Sequence, residues 1–299
     1  MKRRTKRIRF FAGLALLVAI LGVTFFFLPR YTQTWGATAE EIARSLPGDD
    51  LMSEPGLIWT HGITIHARPE VVWPWIAQIG DDRGGFYSYT FIEKLIGGRD
   101  LYNNANRIMP EFQNPGPGEG MIEDFLVVRE VVPGEYLLAN LAGMPDVGIT
   151  WLWSLHPAGG DDTRLIVRNR IKMPPEMDSP AILYAIDVGG FVMERRMITG
   201  IRDRAEGRSE LSGIEAIEIG LWALALLAGI IAASMFRRRK QWPVPLLIAA
   251  LAVLSLLAFT FLQPPIWMRA LADIILLGGL ALFARAIRPP DRDILEWID

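Results

Sequence analysis

Apolar residues in this chain fall into unbroken runs and periodic ones. Four runs are each about 20 residues long, enough to cross a bilayer as a helix: residues 8–28, 214–236, 242–262 and 266–287. They bracket one polar block of roughly 180 residues. The pattern predicts three parts. Residues 1–30 form a basic N-terminus and a first membrane helix, residues 31–212 a water-facing domain, and residues 213–299 three membrane helices with a short tail.

Within the polar block the periods change. Residues 35–46 read as a short amphipathic helix running into the turn Pro47-Gly48-Asp49-Asp50. Residues 57–67 alternate, with Leu57, Trp59, His61, Ile63 and Ile65 on one face, as a half-buried strand does. Pro69-Glu70 opens a helix, because proline fits the first turn and an acid there suits the helix dipole. That helix ends at Gly80, and a second covers about residues 88–96. Strands follow at 120–132, 135–141, 147–155 and 163–173, parted by Pro-Gly, Met-Pro-Asp and Gly-Gly-Asp-Asp turns. Ser179-Pro180 caps a long helix over about 181–208, with a bend expected at Gly189-Gly190. Strand, two helices, antiparallel strands and a last long helix describe an α+β domain whose curved sheet grips that helix around an apolar hollow.

Charge adds direction. Lys and Arg stay on the cytoplasmic side of membrane helices. They cluster at Lys2–Arg7, at Arg237–Lys240 and at Arg285, Arg288 and Arg292. Both termini are therefore expected in the cytoplasm and the main domain outside it, in a cell-membrane protein of four spans. No small-x-small cleavage site follows the first run, so it reads as an uncleaved anchor. The formal net charge is -2. The polar block is acidic, which argues against nucleic acid as a partner. Cysteine is absent, which excludes disulfides and thiol chemistry.

The segments ITIHARPEVVWPWIAQIG (63–80), GGFYSYTFIEKLIGG (84–98), NNANRIMPEF (103–112) and MERRMITGIRDRAE (193–206) resemble the START-like superfamily. That group, also called SRPBCC, holds polyketide cyclase/dehydrase-like proteins and lipid-transfer domains on a helix-grip fold. The likeness to its bacterial membrane-anchored members covers about residues 35–208. It implies binding of a lipid or other hydrophobic small molecule beside the membrane, without catalysis. It leaves open a cyclase/dehydrase-like enzyme using Glu93, Tyr89 or His61, and a structural or regulatory membrane subunit.

The candidate ligand-binding residues are Tyr87, Tyr89, Glu93, Asn104, Arg107, Trp153 and Asn169. Tyr87 and Tyr89 offer an apolar body with a hydrogen-bonding tip, suited to a greasy pocket or to plain packing. Glu93, Asn104 and Arg107 either line the hollow or fasten a loop. Trp153 shares a strand face with Trp151. Asn169 sits among apolar neighbours and must find a protein or ligand partner. His61 and His66 are five apart on one strand and face opposite ways, so no metal pair forms there. No cofactor is implied. Arg168 and Arg170 are expected at a solvated or ion-pairing edge. In the last span, Arg269 and Asp273 are expected to pair.

Overall fold

The computed structural model describes residues 2–97, 104–123, 125–141, 148–208, 213–238 and 242–286. The turn expected at Met144-Pro145-Asp146 lies outside them. The chain divides into two compact units, Met1–Phe25 with Gly213–Asp299, and Phe26–Ser212.

Helix α1 (Lys2–Thr34) begins in the first unit and ends in the second. It continues five residues past Pro29, further than the apolar run alone indicated. Next come α2 (Ala39–Ala43), β1 (Leu57–Ile65), α3 (Pro69–Ala77) and α4 (Thr90–Gly97). The strands β2 (Gly120–Ile122), β3 (Leu126–Val132), β4 (Tyr136–Leu141), β5 (Gly148–Pro157) and β6 (Thr163–Lys172) follow, then α5 (Pro180–Ala205). The expected strand 120–132 is thus a two-strand hairpin, broken where the β2–β3 register shifts. The expected helix 35–46 shrinks to five residues.

All strand pairs are antiparallel, in the order β1-β6-β5-β4-β3-β2. Register sets two rows of side chains across one face. Trp59, Asn169, Trp151 and Ala139 form one, and His61, Val167, Trp153 and Leu137 the other. This face and residues of α3 and α5 build one apolar cluster, with Val72, Trp75, Ile76, Met197, Ile198 and Ile201 among its members. Helix α5 starts on a Ser179 cap, whose hydroxyl accepts from the Ile182 N–H. It is one continuous helix through Gly189-Gly190. Gly190 is needed for packing, since a Cβ there would overlap the Trp59 indole.

The opposite face carries Arg164, Arg168 and Arg170. Of the two expectations for it the solvated edge fails and the ion-pairing one holds, although the partner is Asp49 of the 38–52 segment and not a residue of a neighbouring strand. Arg168 is buried, and all five of its N–H donors are used. They reach Thr60 Oγ1, Asp49 Oδ2 and the carbonyls of Glu41, Ile42 and Arg44 at 2.7–3.1 Å. Those carbonyls belong to the end of α2 and the residues after it, where no intrahelical donor remains. Glu41 pairs with Arg164 at 2.7 Å, and that guanidinium holds its carboxyl down to about 2. Leu46 packs with Leu138, Leu152 and Ile166 on the same face. The 38–52 segment is therefore a cover for the second face of the sheet.

In the other unit, α6 (Ile214–Arg238), α7 (Pro243–Leu257), a π-helical turn (Ala258–Leu262) and α8 (Ile266–Ala286) pack together through Leu221, Ala225, Ala252, Phe259, Leu276 and Leu280. Four segments are long and apolar enough to cross a membrane: Arg7–Thr34, Ile214–Phe236, Pro243–Leu262 and Ile266–Ala286. The chain is thus suited to be a multi-pass membrane protein.

Candidate functional site

The most elaborate polar group of the domain lies between the sheet and α5. His61 on β1 is fully buried, and both ring nitrogens are engaged. Nε2 lies 2.5 Å from the Thr32 carbonyl, in the last turn of α1, and Nδ1 lies 2.5 Å from Glu194 Oε1 on α5. A carbonyl cannot donate, so Nε2 carries a hydrogen. One further proton must lie between Nδ1 and Oε1, since two bare acceptors could not approach so closely. The pair is neutral as a unit. Glu194 Oε2 accepts from Trp151 Nε1 at 3.1 Å and from Asn169 Nδ2 at 2.5 Å.

About two turns earlier on α5, Asp187 repeats the theme. Its oxygens accept from Trp59 Nε1 at 2.9 Å and Gln33 Nε2 at 3.0 Å. Burial pushes the Asp187 carboxyl up, while hydrogen bonds from Thr32, Gln33 and Trp59, together with the His61 charge, pull it back. Aromatic rings wall the cluster. His61 stacks on Trp59 with centroids 5.9 Å apart and meets Phe191 and Trp35 edge-on. Arg195 sits over Trp35 and donates to the Tyr31 hydroxyl. Together these contacts fasten the last turn of α1, three strands and α5. With both imidazole nitrogens occupied, His61 acts here as a fastening group.

Of the seven candidates, Asn169 finds a protein partner in Glu194. Asn104 closes a loop: its Oδ1 accepts from the Tyr87 N–H at 2.5 Å and its Nδ2 donates to the Ser88 carbonyl at 2.8 Å. This bond holds Tyr87 at φ 57°, a left-handed conformation that an aromatic residue rarely adopts. Tyr87 is fully buried, lies under Arg204 and meets Trp75 edge-on, and burial pushes its hydroxyl pKa up. Arg107 is exposed, and its carbonyl accepts from Gln78 Nε2 at 3.1 Å. Tyr89 is buried beneath Arg196, and Glu93 is buried on α4. Trp153 is fully buried in the apolar cluster, and its Nε1–H has no acceptor among the described residues. The candidates thus fall in two places: the loop around Asn104 and Tyr87, and the sheet face carrying Trp153 and Asn169.

Glu194 and Asp187 are not among the sequence candidates. Their signal is present, because positions 187, 191, 194, 198, 201 and 205 form one helical stripe with Phe191, Ile198, Ile201 and Ala205. Two acids on a stripe otherwise apolar, facing a strand with His61 and another with Asn169, call for one another.

No family model matches the chain, and no curated protein matches it. Among solved structures, a conserved protein of unknown function from Enterococcus faecalis is 10% identical, with a TM-score of 0.29 over 54% of this chain and 77% of that one. A protein from Mesorhizobium loti is 18% identical, with a TM-score of 0.29 over 51% of this chain and 99% of its own. Similarity at that level carries no argument about fold or function.

Proposed function

We propose that the Phe26–Ser212 unit is a START-like helix-grip domain that binds a lipid or similar apolar molecule bearing a hydrogen-bond acceptor. In this reading the four spans anchor it, with both termini cytoplasmic and the domain on the far side. The order of elements supports the fold assignment: a strand, two helices, an antiparallel run that returns beside the first strand, then a long helix.

One observation carries the binding reading, the buried indole N–H of Trp153 without an acceptor. Buried indoles ordinarily find a partner, and leaving a donor unmade costs about 1–3 kcal/mol. Trp153's cross-strand neighbours, Leu137 and Val167, are both apolar, so the missing acceptor fits a carbonyl or ester oxygen on a greasy ligand.

The test uses the full-length protein purified in mild detergent, with lipid extraction and mass spectrometry. A complication is an apolar cleft of about 340 Å³ in the membrane unit, between α1, α6 and α7, lined by Gly13, Leu17, Leu226 and Leu246 among others. Ordinary lipid can occupy it. Trp153→Phe separates the two, because it keeps the ring and deletes only the donor. The expected result is one defined molecule on the wild type, retained about tenfold less well by the variant, the worth of one hydrogen bond. An identical lipid profile in both proteins would overturn the reading.

A structural or regulatory subunit remains the second reading, favoured by the His61–Glu194 cluster, which serves to hold the last turn of α1. A stoichiometric protein partner without any bound small molecule would favour it.

A further inference from the structure

The three-helix bundle contains a buried carboxyl without a hydrogen-bond partner among the described residues. Glu218 on α6 and Arg269 and Asp273 on α8 are each 2% exposed. Arg269 is committed to Glu218, its Nη2 lying 3.1 Å from Oε1. Its Nε donates to the Pro264 carbonyl at 2.8 Å, and the guanidinium lies over the Trp222 and Phe259 rings. The expected pairing of Arg269 with Asp273 therefore does not form. The arginine reaches back toward the start of its helix, away from the residue one turn deeper.

Asp273 is left alone. Neither of its carboxyl oxygens has a partner among the described residues. On its own helix it continues the buried stripe of Arg269, Leu276, Leu280 and Phe283. Facing it, α6 brings Glu218 with Leu221 and Ala225, and α7 with its π-helical turn brings no charged residue at all. The trio thus holds two carboxyls and one cation. An ionised carboxylate so placed is costly, and a bare one persists only if something neutralises it.

We propose that Asp273 is a proton-binding site: a carboxyl that holds one proton within the bundle and keeps the trio neutral. The ligand is a proton and not a metal ion, on coordination grounds. A hard cation needs several oxygens around it, and the other buried carboxylate of the trio, Glu218, is already committed to Arg269. Among the described residues no group of three or more metal-binding side chains occurs. A proton needs one oxygen.

The experiment is infrared difference spectroscopy on the full-length protein in detergent at neutral pH, wild type against Asp273→Asn. The amide is isosteric with the neutral acid, so the variant is expected to fold and to melt where the wild type does. The expected spectrum shows one protonated-carboxyl band in the wild type that is missing in the variant. If the variant does not fold, labelling with isotopically heavy aspartate together with Asp187→Asn makes the assignment, since the band must shift with aspartate, not with glutamate, and survive removal of the other deeply buried aspartate. No protonated band, or one that labels as glutamate, would overturn the proposal. So would a band that appears only when sodium is withdrawn, which would make the site a metal-cation site.

Discussion

Glu194 makes three hydrogen bonds in a buried position. Taking a carboxylate into that position is unfavourable, and His61, Trp151 and Asn169 offset the cost only as a set. Removing one member strands the others. Glu194→Ala is expected to destabilise the protein by about 3–5 kcal/mol, the usual penalty for breaking a buried pair. His61→Phe is expected to cost a comparable amount, and His61→Phe combined with Glu194→Ala distinctly less than the two losses added. Denaturant unfolding of the detergent-solubilised chain, followed by tryptophan fluorescence, measures all three. Strictly additive losses would mean that the imidazole and the carboxyl are not coupled. At this scale the sequence was half readable. A polar residue alternating with apolar ones on a strand, such as His61 or Asn169, announces a buried partner. Glu194 and Asp187 are harder to see: an acid in a long helix is ordinarily solvated, and only their place on the apolar stripe of α5 marks them.

Elements were legible where their reasons are local. Strand β6 alternates because it has two faces, and the cap at Ser179-Pro180 needs nothing but its own residues. The 38–52 segment was not legible, because its role is to cover arginines more than a hundred residues away. Arg168 was read onto the correct face of β6 and into the wrong surroundings for that reason. Helix α5 gives a sharper case. Its paired glycines suggested a bend by their low helix propensity, but their environments differ. Gly189 is exposed with nothing near a prospective Cβ, whereas Gly190 lies against the Trp59 ring. Gly189→Ala should therefore raise stability by up to about 1 kcal/mol through helix propensity. Gly190→Ala should lower it by about 1–3 kcal/mol, because a fixed Cβ has to displace an indole. Thermal unfolding of the two single variants side by side decides this. Two changes of like sign would show that propensity or packing alone governs the helix.

For the whole molecule, the four spans could be read at once because crossing a bilayer is a matter of length and composition. Which side each end faces depends on the machinery that inserts the chain, and the basic residues carry that information. They occur before the first span, between the second and third, and after the fourth, and an even number of crossings puts all three clusters on one side. The natural absence of cysteine makes the arrangement directly measurable, since any thiol introduced is the sole one in the chain. Asp161→Cys lies in the exposed β5–β6 turn, so it reports on the domain without disturbing it. Thr5→Cys and Gln241→Cys report on the N-terminal basic cluster and the one between the second and third spans. A membrane-impermeant maleimide added to intact cells is expected to label the first and neither of the others, and all three after lysis. Labelling of positions 5 and 241 from outside, without 161, would invert the arrangement, and the domain would then sit among cytoplasmic molecules. Labelling of 161 together with 241 would leave the second span uncrossed. In that case the apolar length of 214–236 would have to be explained by protein packing, although only 22% of its apolar window is buried. So small a buried share favours lipid as the surroundings of that helix, and with it the crossing.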